Sequence, residues 1–391
     1  MTRRKSALGF VVLLGVVSLF ADMTYEAARS VNGPYLALLG AGAPAVGLAA
    51  GLGELAGYGL RLFSGLLSDR TRRYWAITIT GYAVNLLAVP AMALAGRWEL
   101  AAGLMLVERL GKALRTPARD AILSHAAHDL GRGWAFALHE ALDQVGALLG
   151  PLLVTAVLAL RGSYASAYAA LAVPAGLALA VLLAARLLHP RPQEMEPAPA
   201  RTSARSLSRR FWRYALAAGL VAAAFVDFPL IAYHFKARAL FADRHIPLLY
   251  AGAMGVDALA ALFFGRWYDR RGLRALAVAV AVSAFAAPLA FSASAPLCMA
   301  GLALWGLGMG AQESVLRAAV ADLAPADRRG TGYGVFNSVF GVAWFAGSAA
   351  MGMLYALSPL APAALSLAGQ LAALPLLAGL ARPEGQSAGA G

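Results

Sequence analysis

Three charged residues follow an uncharged apolar stretch near the N-terminus. Residues 7–21 contain no charge, and Asp22, Glu26 and Arg29 then arrive within eight positions. Their spacing of i, i+4 and i+7 places all three on one face of a helix. Apolar surroundings favour the neutral form of a carboxyl group, so a carboxyl here could take up and release a proton. The stripe is therefore a candidate site for proton coupling or for binding a charged solute.

Charged residues recur inside the other long apolar stretches, with nine acids against five bases in all. They are Asp22, Glu26, Arg29, Glu54, Arg61, Glu108, Arg109, Lys112, Glu140, Asp143, Asp227, Asp257, Glu313 and Arg317. A lone charge at the centre of a bilayer costs about 2.5–3.5 kcal/mol, so these residues must face a polar cavity or pair with one another. Counting residues along the helices, Glu54 is expected near the level of Glu26, and Arg61 near that of Asp22.

Two interpretations of these charges remain open. Arg109 beside Glu108 could form a neutralising pair that only holds helices together. Asp227 and Asp257 have no base within one turn of their own helix, which favours a functional role. His139 and Asp143 share a helix face and could relay protons, whereas a zinc hydrolase motif would need histidine in place of Asp143. The chain is therefore not expected to be an enzyme or to hold a metal or cofactor.

The composition identifies a helical membrane protein. Of the 391 residues, 60% are hydrophobic and only 14% are charged, and the mean hydropathy is +0.65. A soluble domain of this length needs a more polar surface. Cys298 is the single cysteine, so an internal disulfide or a thiolate metal cage is excluded.

Twelve apolar stretches are long enough to span a membrane. They lie at about 7–38, 45–67, 75–96, 99–118, 133–160, 164–188, 211–236, 247–266, 274–292, 296–318, 331–356 and 360–381; we call them spans 1 to 12. The polar segment 189–210 is rich in proline, arginine and serine and reads as a cytoplasmic linker. We therefore predict an all-α protein with six-helix halves at 1–188 and 211–381 and a tail at 382–391.

The basic residues are distributed unevenly about these spans. With the N-terminus in the cytoplasm, 23 of the 33 lysines and arginines, Arg115 and Arg119 among them, fall on the cytoplasmic side and five on the other. This asymmetry predicts that both termini are cytoplasmic. It also explains the net charge of +13 by contact with anionic lipids of the cytoplasmic membrane, without nucleic acid. The protein is expected to act as a monomer.

The two halves repeat each other in sequence. The loop 65–73, "GLLSDRTRR", returns at 265–274 as "GRWYDRRGLR", Arg119 returns as Arg317, and 132–150 returns as 329–347. The paired loop motif resembles the signature of the major facilitator superfamily, and the resemblance covers the whole chain. The first copy has Arg72 where glycine is usual, and the second keeps Gly272.

The resemblance implies a secondary transporter working by alternating access, with the loop motifs as cytoplasmic gates. Asp69 would meet the start of span 11, Asp269 would meet the start of span 5, and Asp120 is a plausible partner for Arg70. The gate residues are Gly65, Asp69, Arg70, Asp120, Gly265, Asp269 and Arg270. The chain lacks a nucleotide-binding loop, so ATP is not expected to drive transport.

Span 5 carries Gly146, Gly150 and Pro151, which permit close packing and a kink. The triplet is similar to the helix-5 motif of antiporters in this superfamily. The motif and the excess of acids thus predict proton antiport that exports a small organic solute, with a cation as the favoured charge type. The alternative is proton-coupled uptake of an anionic solute, read by Arg29, Arg61 or Arg109. A third class is a membrane receptor or scaffold that transports nothing.

Overall fold

The described residues form helices joined by short turns. The computed structural model describes residues 2–71, 73–126, 132–190, 207–324 and 329–380. The helices of the first half are α1 (Thr2–Leu38), α2 (Ala43–Thr71), α3 (Tyr74–Ala91), α4 (Trp98–Ala126), α5 (Arg132–Arg161), α6 (Tyr164–Ala170) and α7 (Ala172–Leu188). A 3₁₀ turn, Met92–Leu94, follows α3.

The second half has the same kind of architecture. Its helices are α8 (Arg209–Ala224), α9 (Phe228–Ala237), α10 (His245–Arg271), α11 (Leu273–Ser283), α12 (Ala286–Ala290), α13 (Ala295–Leu323), α14 (Arg329–Leu357) and α15 (Leu360–Leu380). Three predicted spans consist of two helices each: span 6 of α6 and α7, span 7 of α8 and α9, and span 9 of α11 and α12. The prediction of twelve spans in an all-helical membrane protein is confirmed.

Proline explains where these three spans are interrupted. Pro174, Pro229 and Pro288 each lie in the first turn of the second helix of an interrupted span. Proline has no N–H to donate, and its ring disfavours helical geometry in the residue before it. The first turn of a helix tolerates proline because its N–H groups have no intrahelical partner there. A new helix therefore starts at each of these points.

Several helices run further than the hydropathy predicted. Span 4 was expected at 99–118 but is the helix Trp98–Ala126, and span 10 was expected at 296–318 but is Ala295–Leu323. Among the described residues, nine helices or helix pairs are apolar and long enough to cross a membrane by composition alone. The remaining spans 2, 4 and 10 carry Glu54, Glu108 and Glu313, which lower their hydropathy.

Glycine allows the same close approach of helices in both halves. A Cβ added at Gly150 of span 5 would overlap the backbone of Met23 in span 1. The repeat-related Gly347 of span 11 meets the backbone of Ala223 in span 7 in the same way. Gly146 likewise lies against the Leu19 carbonyl. Spans 1 and 5 are therefore in backbone contact at two points, one helical turn apart, beside Asp22.

Replacing Gly150 by alanine is expected to destabilise the protein. The added methyl group has no room, and overpacking of this kind typically costs about 1–3 kcal/mol. Gly103 has nothing within 4 Å of its would-be Cβ, so Gly103→Ala is the matched control and should gain helix propensity. Thermal unfolding of the purified variants in detergent measures both. An equal melting temperature for the two variants would contradict the close packing.

The structure divides into two compact units that differ from the predicted halves. The first comprises Met1–Gly42, Leu52–Arg201 and Phe235–Ala251, and the second comprises Ala43–Gly51, Thr202–His234 and Gly252–Gly391. The start of span 2 thus belongs to the second unit, where Gly47 packs against Gly352 of span 11. The predicted boundaries at 188 and 211 stay a prediction.

Candidate functional site

Most of the predicted charged residues of the first unit are buried together. Asp22, Glu26 and Glu54 are each 8% exposed, and Glu108 is 6% exposed. They come from spans 1, 2 and 4, and span 1 packs directly against spans 4 and 5. The structure therefore brings these carboxylates into the interior of the first unit.

Glu54 is shared by two guanidinium groups. Its Oε1 lies 3.3 Å from Nη2 of Arg109 and 3.7 Å from Nη2 of Arg29. Arg29 also lies 3.8 Å from Glu26, and Nε of Arg109 lies 3.4 Å from Glu108. The expected match in depth between Glu54 and Glu26 thus holds to about one turn. We call these five residues the ion-pair network.

Two polar side chains that the sequence did not single out hold carboxylates of the network. Asn85 of span 3 donates from Nδ2 to Oε1 of Glu108 at 2.7 Å. The hydroxyl of Tyr250 donates to Oε2 of Glu26. Asn85 could have been noticed as a polar residue within an apolar run, whereas nothing in the sequence around Tyr250 marks it.

Asp22 has different surroundings from the other acids. Its carboxyl accepts a hydrogen bond from the Tyr25 hydroxyl, and among the described residues it has no base within ion-pair distance. The ammonium group of Lys112 lies 3.7 Å from the centre of the Tyr25 ring. Tyr25 therefore connects a carboxyl that lacks an ion pair with a cation of span 4.

Arg115, which the sequence analysis counts among the basic residues of the cytoplasmic side, lies in the interior of the first unit. The side chain is buried, with 1% of the residue exposed, and its guanidinium lies 4.1 Å from the centre of the Tyr82 ring and 5.7 Å from that of Tyr25. A count of basic residues does not reveal this burial, which arises because Arg115 faces spans 1 and 3. The guanidinium of Arg61, by comparison, lies over the Tyr58 ring of its own helix, at 4.9 Å.

A series of polar side-chain contacts, separate from the ion-pair network, joins spans 1, 4 and 5. Ser18 Oγ lies 2.9 Å from His139 Nε2, and His139 Nδ1 lies 3.6 Å from Asp143. Arg119 donates to Ser18 at 3.2 Å and to Asp120 at 2.8 Å. The arrangement places His139 and Asp143 on one face, as the sequence predicted.

The predicted gate residues lie only partly within the described part of the structure. Asp120 pairs with Arg119, where the sequence suggested Arg70, and Arg70 is exposed. The side chain of Asp69 and the residue Arg72 lie outside the described part of the structure. In the second copy Asp269 and Arg270 are exposed, and Gly272 has a φ of +57°, which explains the need for glycine there. Gly65 and Gly265 would place a Cβ 3.7 Å from Pro117 and Ser314 respectively.

In the second unit, Asp227 and Asp257 are both buried. Asp227 lies at the break in span 7, where its carboxylate accepts from Trp344 Nε1 at 2.9 Å and from the Ser348 hydroxyl. Asp257 is 2% exposed and lies where Gly310 of span 10 approaches span 8. These contacts give Asp227 a role in joining span 7 to span 11.

Comparisons with known proteins give a consistent result. The sequence model described as Major Facilitator Superfamily matches residues 14–347 and 215–389. An uncharacterised protein of Mycobacterium tuberculosis is 44% identical over 360 residues, which cover 90% of this chain and 88% of that protein.

Solved structures share the fold at low sequence identity. The crystal structure of the peptide transporter POT is similar with a TM-score of 0.76 and 14% identity, covering 95% of this chain and 93% of that one. The crystal structure of the nucleoside transporter NupG has a TM-score of 0.73 and 12% identity, covering 95% and 98%.

Proposed function

This chain belongs to the major facilitator superfamily, and we propose that it is a proton symporter for a small anionic solute. Members of the family are secondary transporters, so the chain is an integral membrane transporter and not an enzyme. The direction of coupling and the charge of the solute are our proposals. Of the two transport modes that the sequence left open, we thus favour the second, proton-coupled uptake of an anionic solute.

The observation that carries the proposal is the position of Tyr25. Its hydroxyl holds the Asp22 carboxyl, and its ring lies beneath the Lys112 ammonium at 3.7 Å. The Tyr25 side chain therefore contacts both a protonatable group, Asp22, and a cation that has no ion pair among the described residues, Lys112. In the low dielectric of a protein interior, charges this close influence one another strongly.

This geometry supports coupling of a definite sign. An anion bound at Lys112 reduces the attraction between that cation and the Asp22 carboxylate. Loss of a nearby positive charge favours the protonated form of a carboxyl group. Anion and proton therefore favour each other's binding, and linkage makes the effect reciprocal. Binding of both together is what a symporter requires.

Proton antiport with solute export is the second candidate, and the packing of span 5 favours it. Gly146 and Gly150 lie against the backbone of span 1, beside Asp22 and ahead of Pro151. A would-be Cβ at Gly146 is 3.1 Å from the Cβ of Asp22. Movement of span 5 would thus change the surroundings of the carboxyl directly. In this candidate a cationic solute and a proton would compete for Asp22 or Glu26.

Topology and gating complete the proposal. The excess of basic residues on one side supports cytoplasmic termini. The loops that contain Asp69 and Asp269 then lie on the cytoplasmic side as gate candidates, and the exposed side chains of Asp269 and Arg270 fit that position.

The sign of proton movement decides between the two candidates. Liposomes containing the purified protein and a pH-sensitive dye are given inward gradients of succinate, citrate, benzoate, inorganic phosphate and, as a cation, tetraphenylphosphonium. We expect one of the anions to acidify the lumen. Alkalinisation driven by the entering solute would instead support antiport. Transport of any probe without proton movement would overturn proton coupling; empty liposomes control for leakage.

A further inference from the structure

We propose that Lys112, Arg115 and Tyr82 form a subsite for an oxyanion group of the solute, a carboxylate or a phosphate. This inference rests on the proposed function for the claim that the occupant is the transported solute. It adds the residues that bind the anion, which differ from Arg29, Arg61 and Arg109, the residues that the sequence suggested.

Four cations on span 4 lie at intervals of three or four residues, and they divide into two kinds. Arg109 pairs with Glu54 and Glu108, and Arg119 pairs with Asp120. Lys112 and Arg115, between them, have no carboxylate within ion-pair distance in the described part of the chain. Both contact the ring of Tyr25 instead. The middle of span 4 thus carries two adjacent cations that have no close ion pair among the described residues.

Unsatisfied hydrogen-bond donors lie at the same place. Among the described residues, Arg115 Nε and Nη1 and the Tyr82 hydroxyl are buried without a hydrogen-bond partner. Arg115 and Tyr82 are each only 1% exposed. Buried polar groups normally have partners, and a buried charge without one is strongly unfavourable. A group with negative charge and several acceptor oxygens would satisfy all of these donors.

The packing of spans 3 and 4 holds the donors in place. A Cβ at Gly81 would lie 2.7 Å from the backbone nitrogen of Arg115, so the two helices are in contact beside Tyr82. The Tyr82 ring then supports the guanidinium at 4.1 Å. A fixed planar guanidinium can bind two oxygens of a carboxylate or phosphate at once.

Of the two cations, Lys112 is the one that an entering anion can reach. Lys112 is partly exposed, whereas Arg115 is buried one turn further along the helix. An entering anion would therefore meet the Lys112 ammonium first. The chemistry is common to carboxylates and phosphates, and the experiment separates the two.

Binding is tested by thermal unfolding of the full-length protein in detergent, at constant ionic strength and pH. The probes are succinate, citrate and benzoate for carboxylates, inorganic phosphate and glycerol phosphate for phosphates, and succinamide as a neutral counterpart of succinate. The variants are Arg115→Gln, Lys112→Gln and Tyr82→Phe. Arg97→Gln is the control, since Arg97 is exposed in the turn between spans 3 and 4.

We expect one class of anion to stabilise the wild type and Arg97→Gln, and succinamide to do nothing. Loss of a charge-assisted hydrogen bond weakens binding about tenfold or more, which is expected for Arg115→Gln and Lys112→Gln. Without anion, Arg115→Gln should melt at a higher temperature than the wild type, because the unpaired buried charge is gone. A purely structural Arg115 would give a lower melting temperature.

Two results would overturn the subsite. One is the absence of stabilisation of the wild type by any anion beyond that of sodium chloride. The other is an unchanged anion affinity in Lys112→Gln and Tyr82→Phe, which remain informative if Arg115→Gln does not fold. Failure of proton coupling with anion binding intact would contradict the proposed symport alone, and the reverse pattern would contradict the subsite alone.

Discussion

Asp22→Asn is expected to abolish proton-driven accumulation of the solute while leaving its exchange across the membrane. Asparagine keeps the shape of the side chain and can still accept from Tyr25, which donates to Asp22 in the wild type, but it cannot carry a proton. One pH unit is worth about 1.4 kcal/mol per proton, so the wild type should accumulate solute about tenfold across such a gradient. The variant should reach only equal concentrations.

The measurement uses liposomes with the membrane potential clamped and a labelled probe from the binding screen. Accumulation is followed under a pH gradient, and exchange is followed with unlabelled solute inside and no gradient. Glu99→Gln is the control, because Glu99 is an exposed acid at the start of span 4. Accumulation by Asp22→Asn equal to that of the wild type would assign the proton to another residue. Loss of both activities would instead assign Asp22 to solute binding.

Hydropathy was sufficient to predict the spans because every helical turn that faces lipid must carry apolar side chains. It could not predict helix length beyond the apolar stretch, where span 4 continues to Ala126. It also could not distinguish a cytoplasmic arginine from a buried one. The burial of Arg115 is an example: burial depends on which neighbouring helix a residue faces, and spacing within one helix does not contain that information.

The candidate site was predictable where its residues lie on one helix, and less so across helices. Asp22, Glu26 and Arg29 form a stripe by spacing alone, and Glu54 followed from residue counting to within a turn. The contact of Tyr250 with Glu26 joins residues 224 positions apart, which a single sequence does not reveal. Asp120 pairs with Arg119, its neighbour on the same helix, and the sequence had suggested Arg70 as its partner.

Glu54→Gln is expected to destabilise the protein by about 3 kcal/mol, the lower end of the range for breaking a buried ion pair. Its carboxylate serves both Arg109 and Arg29, at 3.3 and 3.7 Å. The cost should stay at the lower end because Arg109 keeps Glu108 and Arg29 keeps Glu26. Denaturant or thermal unfolding in detergent measures the change.

A double-variant cycle shows whether the network acts as a unit. In Glu54→Gln, Arg109 loses one of its two carboxylate partners, and Arg109→Gln removes that base as well. The two changes together should therefore cost less stability than the sum of the single variants. Additive costs would mean that Glu54 and Arg109 do not interact in the membrane protein. Because breaking one partner leaves a buried charge whereas removing both does not, the sign of the coupling separates an ion pair from mere proximity. Recovery of stability without recovery of transport would then show that transport needs the network for more than its contribution to stability.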